Sequence, residues 1–151
     1  MASKAPITCS MAVASTLLAS DGVCHLIMSI LEDSGFGKED VFAVHLALQE
    51  AFINAVRHGN QMDPDKEVKI EYLVDSGKFE ISVTDDGDGF DPEAVPDPRC
   101  EENLYKPNGR GLLLMRAYMD VVEYNEKGNG VRMVRYRERP LVTEGVRREQ
   151  G

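Results

Sequence analysis

The chain is expected to be an α+β protein, a two-layer sandwich in which a mixed, mainly antiparallel sheet is covered on one face by helices. Three observations point there. Two segments in the first part of the chain carry helical apolar periodicity. Four later segments read as two hairpins. Strands that arrive in hairpins, rather than alternating with helices, favour antiparallel pairing. A length of 151 residues fits one domain, and 42% hydrophobic with 28% charged residues is a globular composition.

Pro6 to Val13 mixes apolar and small residues and is expected to open the sheet. From Ser20, the residues Val23, Leu26, Ile27, Ile30 and Leu31 follow the spacing of a helix with one buried face. Gly35 and Gly37 end it. A second helix is expected from about Glu39 to His58, with Val41, Phe42, Val44, Leu48, Phe52 and Val56 as its apolar set. Ala43, Ala47, Ala51 and Ala55 form a row of small residues along it, suited to close approach of a neighbour. Gly59 fits the left-handed position that closes a helix. Asn60 to Asp65 is turn material. Glu67 to Val74 and Lys78 to Thr84 alternate around Asp75-Ser76-Gly77, which predicts an antiparallel hairpin with one buried face. A long irregular segment, Asp85 to Asn108, carries four prolines, and loops of that length are usually functional or disordered. Gly109 to Met119 reads as a short helix. Val121 to Tyr124 and Val131 to Tyr136 read as a second hairpin around Gly128-Asn129-Gly130.

Composition excludes several classes. No apolar run approaches the ~20 residues of a membrane helix, and the N-terminus lacks the apolar core of a secretory signal. Cys9, Cys24 and Cys100 are far apart, which argues against a zinc site or a disulfide framework and favours a reducing cytoplasm. Net charge is −9, and basic residues concentrate only at Arg132 to Arg139, with Arg147 and Arg148 beyond. Direct nucleic-acid binding, which needs clustered cations, is not expected.

Three segments can carry chemistry. Glu50 and Asn54 are four apart and share a helical face. Asn offers a neutral oxygen to magnesium and Glu can accept a proton; the rival reading is a solvated polar strip. Asp85-Asp86-Gly87-Asp88-Gly89-Phe90-Asp91 follows a strand directly. Its glycines permit close backbone approach to a ligand, but an acidic turn without a ligand reads the same way. Gly109-Arg110-Gly111-Leu112 opens a helix, where free N–H groups suit phosphate.

In order, a Glu-x-x-x-Asn helix, a strand running into Asp-x-Gly-x-Gly, a long loop and a Gly-x-Gly helix entry resemble the GHKL ATPase/kinase family. The stretches LQEAFINAVRHGN, VTDDGDGFDP, GRGLLLMRAYMD and GNGVRMVRY are similar to the small anti-sigma factor serine/threonine-protein kinases, and the resemblance spans Ala12 to Tyr136. It implies that residues 1–137 form a histidine-kinase-like ATP-binding domain, with 138–151 a flexible tail. It implies ATP and Mg2+ as cofactors, Glu50 as the general base and Asn54 as the magnesium ligand. Asp85 would accept from the adenine amino group, with Gly87 and Gly89 letting the backbone near the base. Gly109, Arg110, Gly111 and Leu112 would meet the phosphates. Asn129 stands where the family usually carries an adenine-holding Thr. His58 also matches the family, and a packing or capping role is expected for it. The implied activity is phosphorylation of a STAS-type anti-sigma factor antagonist by a cytoplasmic homodimer that also binds a sigma factor. The alternative is a partner-switch module that binds nucleotide and regulatory proteins without transferring phosphate.

Overall fold

In chain order the elements are β1 (Ile7–Ala14), α1 (Leu17–Asp33), α2 (Lys38–Asn54), a single π-turn (Ala55–Gly59), β2 (Glu67–Val74), β3 (Lys78–Thr84), α3 (Pro107–Tyr118), β4 (Val121–Tyr124) and β5 (Gly130–Tyr136). The computed structural model describes residues 5–87 and 107–137, apart from the side chains of 107–112. The strands form one sheet in the order β1-β2-β3-β5-β4, antiparallel at each pairing.

Alternation decides which face is covered. Val68, Ile70, Tyr72 and Val74 of β2 are buried, as are Phe79, Ile81 and Val83 of β3. The register sets Ile70 opposite Val83, Tyr72 opposite Ile81 and Ile81 opposite Met133. These side chains meet Ile27, Leu31, Leu48, Phe52, Val56 and Met115 from the helices. Each fully buried residue of this size stabilises the fold by about 1.5–3 kcal/mol relative to exposure. On the other face Arg132 bridges Glu80 at 2.8 Å and Glu123 at 2.9 Å. That guanidinium, hydrogen-bonded to Glu80, holds its carboxyl below the usual range.

The helices depart from expectation at their ends. Thr16 caps α1, its hydroxyl accepting from Ala19 N–H at 3.1 Å, so the helix starts at Leu17 rather than Ser20. Leu26 and Phe42 are exposed rather than core; Phe42 lies edge-to-face with Tyr118. α2 gives way to the π-turn before His58. The left-handed residues that reverse the chain are Gln61 and Met62, at φ 52° and 62°. Gly59 does not have a positive φ and so does not close the helix through a left-handed residue.

The described basic residues in and just after β5 are engaged within the chain, while Arg139, Arg147 and Arg148 lie outside the described residues. Besides Arg132, Arg135 pairs with buried Asp40 at 2.9 Å and donates to Tyr118 O at 2.7 Å. Arg137 donates to the carbonyls of Ser34, Gly35 and Ser76 and sits 5.1 Å over the Phe36 ring. No helix among the described residues is long and apolar enough to cross a membrane.

Candidate functional site

A cavity of 420 Å³ lies where the end of α2, the turn after β3 and the β4–β5 turn converge. Ala51, Asn54, Ala55, His58 and Gly59 come from the helix end; Val83, Asp85 and Gly87 from the end of β3. Tyr124, Gly128, Asn129, Gly130 and Val131 come from the last hairpin, with Gln61 and Lys66 at the margin. Four residues singled out from sequence, Asn54, Asp85, Gly87 and Asn129, therefore line one space. Glu50, one helical turn before Asn54, is half-buried and outside this lining. Gly109, Arg110, Gly111 and Leu112 lie in the first two turns of α3, which begins earlier than expected, at Pro107. Proline suits the first helical position because that N–H has no intrahelical partner. Gly89 lies outside the described residues.

The π-turn shapes the helix side. Asn60 N–H reaches back five residues to Ala55 O at 2.8 Å, and the wider turn presents His58 and Gly59 to the cavity. A Cβ on Gly59 would stand 2.0 Å from Asp85 Oδ2. One on Gly87 would stand 2.1 Å from Gly59 O. Both glycines are thus required by close approach. Asp85 lies against the helix end only because neither carries a side chain.

Asp85 is held from several directions. Its N–H donates to Asn129 O at 2.8 Å, its carbonyl accepts from Asn129 Nδ2 at 3.0 Å, and Oδ1 accepts from Gly87 N–H at 2.7 Å. Burial nonetheless raises its pKa, helped by Asp86 and opposed by the Gly87 bond, Lys66 and Lys127. A carboxylate short of solvation is a strong acceptor for an incoming N–H group. Its neighbour Asp86 is spent on the fold, with Oδ2 accepting from Glu67 N–H at 2.9 Å.

Asn54 is the opposite case. Both polar atoms of its side chain are buried without a hydrogen-bond partner among the described residues. An unsatisfied buried amide costs about 1–3 kcal/mol. Its oxygen fits a hard cation and its N–H groups fit phosphate oxygens. Among the described residues no cluster of three His, Cys, Asp or Glu could hold a metal. Magnesium typically takes one or two protein ligands and shares the substrate's phosphate oxygens, so Asn54 fits that mode.

His58 lines the cavity, where packing or capping was expected. Burial lowers its pKa, and neighbouring Arg57 adds to the effect. Burial pushes the Tyr124 hydroxyl up to about 12. Lys66 and Tyr124 had no sequence signal, since an exposed turn lysine and an alternating strand tyrosine are ordinary in those places.

The chain is similar to known proteins over most of its length. Residues 13–135 match the family model of the histidine kinase-like ATPase domain. The serine-protein kinase RsbW of Listeria monocytogenes serovar 1/2a is 30% identical over 128 residues, 80% of this chain and 82% of that protein. RsbW of Bacillus licheniformis is 32% identical over 137 residues, 83% of each chain. RsbW of Bacillus subtilis is 30% identical over 123 residues, 76% of this chain and 77% of that one. A solved structure of the RsbU and RsbW domains of a Mycobacterium tuberculosis protein superposes with a TM-score of 0.60 at 18% identity. It covers 91% of this chain and 34% of that longer one, a likeness of fold.

Proposed function

Because the chain belongs to the histidine kinase-like ATPase family, we propose that it binds Mg-ATP in this cavity and acts as an anti-sigma factor kinase. Its substrate is a STAS-type antagonist protein, phosphorylated on Ser or Thr, and its other partner is a sigma factor. The observation that carries the reading is the convergence of an under-solvated Asp85 and an unpartnered Asn54 on one cavity. The RsbW relatives, named serine-protein kinases, supply the reaction class.

In this reading Asp85 accepts from the adenine amino group. Gly87 and Gly89 keep side chains away from the base. Asn54 holds magnesium, which neutralises phosphate charge when bound. The amides at the start of α3, at Gly109, Arg110, Gly111 and Leu112, receive the phosphates. Glu50 takes the proton from the attacking hydroxyl. Phosphoryl transfer depends on positioning and charge neutralisation, which such a site supplies. The cytoplasm is the proposed compartment and a homodimer the proposed assembly.

The test is transfer of labelled γ-phosphate to a STAS protein captured from host lysate. Glu50→Ala should lower the rate by about 10²–10⁴-fold, the usual share of a general base, with ATP affinity retained. The alternative, a partner-switch module without transfer, draws on one observation: Glu50 is outside the cavity lining. Equal phosphorylation by wild type and Glu50→Ala would remove the base assignment, and no transfer by either would favour the module.

A further inference from the structure

One peptide group in the site is gripped at both ends by asparagine side chains. The Asp85 carbonyl accepts from Asn129 Nδ2 at 3.0 Å, and the Asp86 N–H on the same peptide donates to Asn60 Oδ1 at 2.8 Å. Asn60 is fully buried, and its Nδ2 donates to Ser15 Oγ at 2.9 Å and to Glu67 O at 3.0 Å. Its amide orientation is dictated by its neighbours, because Glu67 O can only accept and Asp86 N–H can only donate. The same logic fixes Asn129. Its Nδ2 faces a carbonyl, while its Oδ1 accepts from Asn125 Nδ2 at 2.9 Å. Asn125 in turn uses Oδ1 to accept from the N–H groups of Gly128 and Asn129.

A peptide is planar, so fixing its carbonyl and its N–H fixes the plane and the dihedrals on either side. The Cα of Asp85 lies at one end of that plane. We infer that Asn60 and Asn129 are a pair of positioning residues that set the rotation of the Asp85–Asp86 peptide. Through it they set the aim of the Asp85 carboxylate, and so the selectivity of the cavity for the purine base. Asn129 then serves the base through Asp85 and not by touching it, and Asn60 does the same from the opposite side. The inference rests on the nucleotide reading given above.

The test measures the affinities of ATP, GTP and inorganic triphosphate by calorimetry for wild type, Asn60→Ala, Asn129→Val and the double variant, with thermal midpoints alongside. Each single change should weaken ATP by about fivefold, the loss of its one hydrogen bond to the Asp85–Asp86 peptide. It should narrow the gap between ATP and GTP and leave triphosphate affinity unchanged, which a general loss of structure would not do. The double variant should be little worse than either single one, because both act on the same peptide. Additive losses, or an unchanged preference for ATP over GTP, would overturn the pairing. Asn129→Thr keeps a donor and should restore selectivity. If Asn60→Ala does not fold, the cycle is run between Asn129→Val and Asp85→Asn. There the Asn129 change should cost nothing further once the carboxylate is gone, and additivity again overturns the inference. Failure of wild type to bind ATP would instead remove the nucleotide reading itself.

Discussion

The two ends of the cavity are built on opposite principles. Around Asp85 the carboxylate, the backbone and the two flanking asparagines are joined by hydrogen bonds within the chain. At Asn54, on the helix wall, a buried amide has no hydrogen-bond partner among the described residues. The first end is preorganised, so in the proposed reading little ordering would remain for a base. The second leaves its polar atoms unpaired among the described residues, a cost that a bound ligand would relieve in the proposed reading. In the proposed reading, base recognition would fall to the Asp85 end and phosphate handling to Asn54, across one helix–strand junction.

Substitutions can break that contrast, and the largest effect is expected at Gly87. A Cβ there meets the Gly59 backbone carbonyl at 2.1 Å, which cannot move without the helix end. Gly87→Ala should cost about 3 kcal/mol of stability, the upper range for overpacking, read from urea unfolding. Gly59→Ala meets a side chain that can rotate and should cost less. Equal losses would mean that the interlock does not order this end. Next comes Asp85→Asn. Losing a charge-assisted hydrogen bond should weaken ATP by roughly 1.5–3 kcal/mol. Its apo thermal midpoint should not fall. The raised pKa means that ionising Asp85 opposes folding, increasingly as pH rises through that pKa, and Asn removes the charge.

Asn54→Ala sharpens the other side. It should abolish the magnesium dependence of ATP binding, an effect of about tenfold, without lowering apo stability, because no partner among the described residues is lost. A clear fall in the thermal midpoint would show Asn54 to be already engaged. The smallest effect is expected at His58. Burial lowers its pKa in the folded chain, while the unfolded chain takes up a proton near 6.5. Stability is therefore full above that value and declines as pH falls through it toward the lower folded pKa. Urea titrations between about pH 7.5 and pH 5.5 should show this slope in wild type and not in His58→Gln.

The sheet was largely legible in the sequence. Two-residue alternation around Asp75-Ser76-Gly77 gave β2 and β3 their observed bounds, because a half-buried strand advertises its face at every second position. The helix ends were less so. Leu17 and Leu18 look like more apolar sequence, and only the hydroxyl of Thr16 marks the cap. Motif order singles out Asn54, Asp85, Gly87 and Asn129, which line one cavity. It does not reveal the work of Asn60, since a buried amide joining β1, β2 and the turn after β3 reads locally as one more polar turn residue. Gly59 was noticed for the wrong reason. A close approach across 26 residues leaves the same letter as a helix stop.

The π-turn carries a consequence for how such a site changes over generations. One added residue in a helical turn rotates everything beyond it by about 100°. Deleting a single residue between Ala55 and Gly59 would let the helix close normally and swing His58, Gly59 and Asn60 to another side of its axis. No replacement of one residue by another has that reach. Lineages descending from this chain should therefore vary in the letters of this turn far more readily than in its length.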